Sequence, residues 1–272
     1  ALWATMRQFD VSENIVKSIQ QLYDKANSAV LVNGKMGNWF RTTVRVRQGC
    51  LLSPTLFNIF LERIMDEALN DHEGSVSIGG RNITNLRFAD DIDGLAGNAR
   101  ELKDLVQSLN TSCTKFGMEI SAEKTKLMNN NGNDTGEDIE VNGHKLESVS
   151  LFKYLGSIIS DEGSKPEVLA RIAKTVTALA KLNPIWKDRN ITLQTKIRLM
   201  RSLVLSIFLY ACETWTLTAE LQRRIQSLEM RCYRRILNIS YLDHVTNEDV
   251  RSRIRRLVGP IEELFITVRK ES

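Results

Sequence analysis

Cysteine, histidine and proline are scarce in this chain, at 4, 3 and 4 of 272 residues. Cys50, Cys113, Cys212 and Cys232 lie far apart without a CxxC pair, and His72, His144 and His244 have no ligand spacing. That argues against a structural zinc or a disulfide framework and for a reducing, intracellular compartment. With 7% aromatics and so few prolines, collagen-like and proline-rich classes are excluded. Long apolar runs are missing as well. The longest, Leu203 to Cys212, is flanked by Arg201 and Glu213. It is far short of the roughly 20 residues a membrane span needs, so it reads as a buried helix, and no membrane partner is expected. An initial methionine is also lacking. The chain begins Ala1-Leu2-Trp3, which is read as a fragment or a processed product.

What is present is the balance of a globular protein, 42% hydrophobic and 26% charged, with a length that suits one large domain or two smaller ones. The net charge of +4 is unevenly placed: residues 1–164 carry −5 and residues 165–272 carry +9. The basic half is where a polyanionic partner is expected.

Val11, Ile15, Ile19, Leu22, Tyr23 and Ala26 recur at helical spacing and predict a helix over 12–27. Hairpins are expected at 28–46, 76–83 and 139–146, a helix from Pro54 to about 70 with Ser53 as N-cap, and short strands at 86–89 and 92–96. Asn98 with Glu101 three residues on marks the start of a helix to about 116. Residues 118–128 and 151–159 read as strands, and 129–138 as a polar loop. Beyond Ser160–Ser164 everything reads as helix, at about 165–182, 192–215, 218–238 and 246–257. The expected fold class is α+β: an antiparallel sheet with helices on one face over 1–160, followed by an all-α domain over 165–272.

The sharpest chemical feature is Phe88-Ala89-Asp90-Asp91. Two adjacent carboxylates at a tight turn can converge on one side, where both ionise comfortably only with a cation beside them. Magnesium suits such oxygen ligands and completes its octahedron with waters and phosphates. As a turn, Asp-Asp alone is ordinary. Gln48-Gly49-Cys50-Leu51-Leu52-Ser53-Pro54 follows a basic strand with Arg41, Arg45 and Arg47, and its glycine would let backbone approach a ligand closely. Lys124 follows a strand in Gly117 to Lys126, and Tyr154, Leu155 and Gly156 lie on the last strand before the helices. Each stretch by itself also fits a plain loop or strand.

Taken in order, VRQGCLLSPTLFNIFLE, LRFADDIDGLAG, FGMEISAEKTKLM and FKYLGSII resemble the reverse transcriptase of non-LTR (LINE-type) retrotransposons and, more distantly, of group II introns. The resemblance covers nearly the whole chain. It implies a right-hand polymerase, with palm and thumb represented. Asp90 and Asp91 would bind two magnesium ions, and Lys124 would lie near the leaving pyrophosphate. Gln48, Gly49, Ser53 and Pro54 would contact template and incoming nucleotide. Tyr154, Leu155 and Gly156 would match the primer grip. Arg224, Arg231 and Arg235 are placed near one face of a thumb helix, to contact the backbone of an RNA template–DNA primer duplex. Deoxynucleoside triphosphates would be the substrates, and a nuclear or nucleocytoplasmic site follows by analogy.

One departure matters. The family's further catalytic aspartate should precede Ala1, and residues 1–9 supply no carboxylate. A two-metal site needs a bridging third acid, so the chain alone is expected to be inactive. The alternative is a non-catalytic nucleic-acid-binding remnant of a decayed or domesticated retroelement. The plainest reading is an α+β domain with a basic helical appendage, which leaves the ordered motifs as coincidence.

Overall fold

The computed structural model describes residues 1–24, 27–41, 49–70, 72–129 and 138–271. Gln48, Arg45, Arg47 and most of the 129–138 loop lie outside the described residues. The chain divides into two compact units, one of residues 1–126 and 134–147, the other of 127–133 and 148–272.

In the first unit, α1 (Leu2–Gln8) and α2 (Glu13–Asp24) bury Met6 and Val16 against Leu56 of α3 (Ser53–Leu69). Trp3 and Tyr23 meet edge to face at 5.9 Å. Leu61, Ile64, Met65 and Ala68 continue the buried stripe of α3, which packs on α4 (Ala99–Lys115) with its buried Leu105 and Cys113. The Ser108 hydroxyl donates to the Ala68 carbonyl at 2.6 Å, and Phe60 meets Phe116 edge to face at 5.8 Å. The Asn98 side chain caps α4 by accepting the Glu101 N–H at 2.9 Å. The reciprocal half of a capping box is redirected: the Glu101 carboxylate accepts from the N–H groups of Ser75 at 2.8 Å and Gly97 at 3.2 Å. That ties the segment before the 77–82 hairpin to the head of α4.

Among the described residues the expected single antiparallel sheet does not form. Among the described residues there are seven separate two-stranded ladders, six of them with antiparallel register. The strands are two to four residues long, and five of the ladders close through two-residue turns between adjacent strands, as in Phe88↔Asp91 and Tyr154↔Ser157. Pairing is therefore local, and among the described residues no ladder gains a third strand. The expected strand over 118–128 shrinks to Lys126–Leu127, because Ala122–Lys124 turn.

In the second unit, the hairpin of Leu151–Tyr154 and Ser157–Ser160 precedes α5 (Lys165–Lys181), α6 (Asn183–Lys187) and α7 (Leu193–Leu199). A π-helical stretch over Met200–Leu205 leads into α8 (Ser206–Phe208), and the left-handed Ala211 (φ 59°) breaks the helix expected to run to 215. Then come α9 (Ala219–Leu237), α10 (Asn247–Val258) and α11 (Leu264–Glu271). No strand follows residue 160 among the described residues. The helix α9 is the axis of this unit, touching α5, α6, α7, α10 and α11 and burying Leu221, Ile225, Leu228, Met230, Cys232, Tyr233 and Ile236. Thr218 caps its start and left-handed Asn238 ends it.

Glu229 is the one acid buried in that axis, at 2% exposure. Its carboxylate accepts from the Leu264 N–H at the head of α11 (2.9 Å), the Tyr233 hydroxyl (3.3 Å) and Arg251 of α10 (3.4 Å). Arg251 also pairs with Glu263 at 3.2 Å. Burial, then the Glu229 charge, holds the Tyr233 phenol above its ordinary range and pushes the Cys232 thiol up to about 12. One side chain thus ties α9, α10 and α11 together. Glu229→Ala leaves the Leu264 N–H and the buried Tyr233 hydroxyl without their acceptor and Arg251 with Glu263 alone. It should lower stability by about 1–3 kcal/mol in urea unfolding, and an unchanged midpoint contradicts this account.

Candidate active site

Ala89 and Asp90 form the two-residue turn between Asn85–Phe88 and Asp91–Gly94. Ala89 takes a left-handed φ of 54° and Asp90 does not, the pattern of a type II′ turn. Glycine is the usual residue there, and a Cβ in that region costs roughly 1–2 kcal/mol. The hairpin's own packing holds it there. Residues opposite one another across a ladder share a face. On one face Arg87 reaches Glu62 of α3 at 2.9 Å, and Gly94 lies against Leu105 and Leu102 of α4. The other face carries Leu86 opposite Asp93 and Phe88 opposite Asp91, with Leu86 and Phe88 exposed at 50% and 63%.

Asp90 and Asp91 are both exposed at the tip. The carboxylate that joins Asp91 on its face is Asp93, two residues on. Partial burial and then the Asp91 charge raise the Asp93 pKa above the ordinary carboxylate value. That pair is electrostatically uncomfortable, and hard oxygen donors crowded in this way are a fitting ligand set for magnesium. Among the described residues no cluster of three or more acidic, histidine or cysteine side chains is assembled. Asp93 was not anticipated, although the period-2 alternation of a strand puts 91 and 93 on one side.

Gly49 has φ +80°, and among the described residues no atom beyond its chain neighbours lies within 4 Å of where its Cβ would be. Ser53 is the first residue of α3 rather than its side-chain cap; it is buried, and its hydroxyl pairs with the Tyr23 hydroxyl at 3.2 Å. Pro54 follows in the first turn, as expected. The Leu52 N–H lowers the Cys50 pKa, with Ser53 adding to the effect. Lys124 is exposed at the end of the 122–124 turn.

Leu155 and Gly156 are the turn of the second unit's hairpin, with left-handed φ of 46° and 85°, the type I′ pattern. On α9, Arg224 pairs with Glu220 at 2.8 Å, and Arg235 donates to Asn183 at 2.7 Å. The structure gathers Arg231 with Arg223 and Arg224 instead, along a groove of about 550 Å³ floored by Leu169, Ile172, Val176 and Leu228.

Residues 1–159 match the family described as Reverse transcriptase (RNA-dependent DNA polymerase). The chain belongs to the reverse transcriptase family. It is similar to the Pol polyprotein of the type-1 retrotransposable element R2 of Popillia japonica, at 24% identity over 94% of this chain and 42% of that protein. The R2 Pol polyprotein of Nasonia vitripennis is 26% identical over 53% of this chain and 15% of its own length. A transposon-derived protein of Caenorhabditis elegans is 26% identical over 71% of this chain and 70% of its own length. The resemblance to non-LTR reverse transcriptases is thereby established, and the chain spans less than half of the R2 polyproteins it matches. The family match contains the Asp90–Asp91 turn, Gly49 to Pro54, Lys124 and Tyr154 to Gly156. Among the described residues no helix is long and apolar enough to cross a membrane.

The raised Asp93 pKa has a measurable consequence. In the folded chain Asp93 keeps its proton to a higher pH than in the unfolded chain, so its contribution to stability is present at low pH and lost as pH rises through the folded value. Asp93→Asn should therefore raise the melting temperature at pH 7 and lose that advantage below the ordinary carboxylate range. A variant less stable than the native chain at pH 7 contradicts the assignment.

Proposed function

We propose that the chain forms the palm and thumb of an RNA-directed DNA polymerase of a non-LTR retroelement, copying RNA into DNA by two-metal nucleotidyl transfer. The observation that carries this reading is the solvent-facing Asp90–Asp91 turn inside the region that matches the family. In it, Asp90 and Asp91 hold the magnesium ions, and Asp93 adds negative potential behind them. Bound magnesium would stabilise the charge that builds as a primer 3′-hydroxyl attacks the α-phosphate of a deoxynucleotide. Gly49 supplies open backbone for the incoming nucleotide or template, with Gln48 preceding it in the sequence. Ser53 and Pro54 set the start of the helix behind that loop rather than touching substrate. Lys124, free to extend into solvent, can donate a proton to departing pyrophosphate. Tyr154, Leu155 and Gly156 form the primer grip. Arg231, with Arg223 and Arg224, meets phosphates of the RNA–DNA duplex.

A second reading, a non-catalytic nucleic-acid-binding remnant, is favoured by one observation: among the described residues the Asp90, Asp91 and Asp93 carboxylates are not gathered into a three-ligand group that could hold a metal ion. Primer extension separates the two. Joined to the family's upstream aspartate strand, the chain should extend a DNA primer on an RNA template with magnesium, whereas the 272 residues alone should bind the duplex without extending it. Asp90→Asn should stop extension and leave duplex affinity intact. Arg231→Gln should reduce the slope of log affinity against log salt by about 0.7–0.9. Extension that survives Asp90→Asn overturns the catalytic assignment, and a joined chain that binds but never extends supports the remnant.

A further inference from the structure

The Leu155–Gly156 turn is an unlikely place for leucine. Type I′ turns need positive φ at both central residues and favour Asn, Asp or Gly at the first. Leucine at φ 46° carries a cost that persists only where surrounding contacts over-determine the backbone. Those contacts come from the helical part of the same unit. The Tyr210 hydroxyl donates to the Leu155 carbonyl at 2.5 Å. Arg171 of α5 donates to the next carbonyl, that of Gly156, at 2.6 Å. The Arg171 guanidinium lies 4.3 Å from the centre of the Tyr210 ring, so the two donors brace each other by a cation–π contact. Glu167, one helical turn before Arg171, accepts from its Nε at 2.5 Å and from the Ile158 N–H on the returning strand at 2.8 Å. Arg171 and Glu167 are buried, at 6% and 1% exposure, yet Leu155 at the tip stays 39% exposed. The strained residue is presented outward while its backbone is clamped from behind.

We infer that Arg171 and Tyr210 are positioning residues that hold the Leu155–Gly156 turn in the geometry with which this hairpin grips a primer terminus. The inference rests on reading the hairpin as the primer grip. The clamp acts on carbonyls alone, so it fixes the direction of the turn without occupying its outer face. Because Glu167 holds the second strand, the hairpin is fixed to α5 at two points and a shift along the helix would break both.

The test measures binding of the 272-residue chain to an RNA–DNA primer–template whose recessed DNA 3′ end carries 2-aminopurine, with a blunt duplex as control. Tyr210→Phe keeps the ring under the guanidinium and removes only the bond to the Leu155 carbonyl. Arg171→Lys keeps the charge and loses the planar fork and the stack. Each should weaken recessed-end affinity about fivefold and reduce the 2-aminopurine response, with blunt-duplex affinity and melting temperature close to native. Tyr154→Ala reports on the grip itself. If Tyr154→Ala weakens recessed-end binding and Tyr210→Phe and Arg171→Lys do not, the positioning role is overturned and the grip stands. If none of the three discriminates recessed from blunt ends, grip and positioning fall together. Equal loss on both duplexes with a lowered melting temperature shows a merely structural role and also overturns the proposal.

Discussion

The ion pair of Glu167 and Arg171 sits at the first turns of α5 with 2% and 7% of the side chains exposed, and it ties the 151–160 hairpin to the helices that follow. Burying two charges costs several kcal/mol each, and their attraction repays this only when the remaining hydrogen-bonding capacity is met. Here the partners are the Ile158 N–H, the Gly156 carbonyl and the Tyr210 ring. The pair is therefore weak evidence for net stability and strong evidence for specificity. An apolar pair of similar volume could fill the same space, but it could not distinguish one hairpin register from another. A slip by one residue would move Ile158 off Glu167 and Gly156 off Arg171 together. This explains why residues 151–160, which are strand by sequence, pack with the helices that follow: the division in packing falls near 147–148, and the change from strand to helix falls between Ser160 and Lys165.

The hairpin of the first unit uses the same two-residue connection with a different consequence. Its inner face is fixed by the Arg87–Glu62 pair and by the close approach of Gly94 to α4. Nothing comparable reaches its outer face among the described residues, where Asp91 and Asp93 lie opposite exposed Phe88 and Leu86. Partial burial, and then the Asp91 charge beside it, raises the free energy of the Asp93 anion, which shows in its raised pKa. A purely structural hairpin gains nothing from that arrangement. Strain at Ala89, acids at the tip and apolar groups facing outward each oppose stability, and such local conflicts gather where function outweighs it.

Much of this was legible in the residues. Helical spacing foretold α2, Pro54 after Ser53 marked the start of α3, Asn98 with Glu101 marked the start of α4, and the helical reading past residue 164 held for α5, α9 and α10. The short helices α1, α6 and α11 escaped because five to eight residues carry too little periodicity to stand out. The 118–128 strand failed because Ala122 to Lys124 turn. The single sheet failed for a similar reason: alternation identifies a strand but not its partner, and turn residues such as Asn142-Gly143 commit each strand to its neighbour. At the site, Asp90 and Asp91 were visible as a sequence pair. Asp93 could have been read from strand alternation, and Glu167 with Arg171 from i,i+4 spacing. Tyr210 could not, since no local pattern announces a hydroxyl that bonds a carbonyl 55 positions away.

The charge of the helical half is where arithmetic and structure diverge most. Residues 165–272 carry +9, yet several of the arginines are committed inside the fold. Arg171 holds a turn, Arg234 donates to the Val245 carbonyl and the Asn247 side chain, Arg235 bonds Asn183, and Arg251 serves Glu229 and Glu263. A guanidinium committed to a backbone carbonyl keeps its charge but not its freedom to follow a phosphate. What remains in the groove between α5 and α9 is a short rim, Arg223, Arg224 and Arg231, tempered by Glu220. Arg231 is exposed and has no hydrogen-bond or ion-pair partner among the described residues. The field of the whole half can steer a polyanion from a distance, but contact at close range falls to these few side chains. Sequence spacing placed 224, 231 and 235 near one face of α9. The partners decide otherwise, because Asn183 draws Arg235 toward the head of α6 while 223, 224 and 231 remain along the groove.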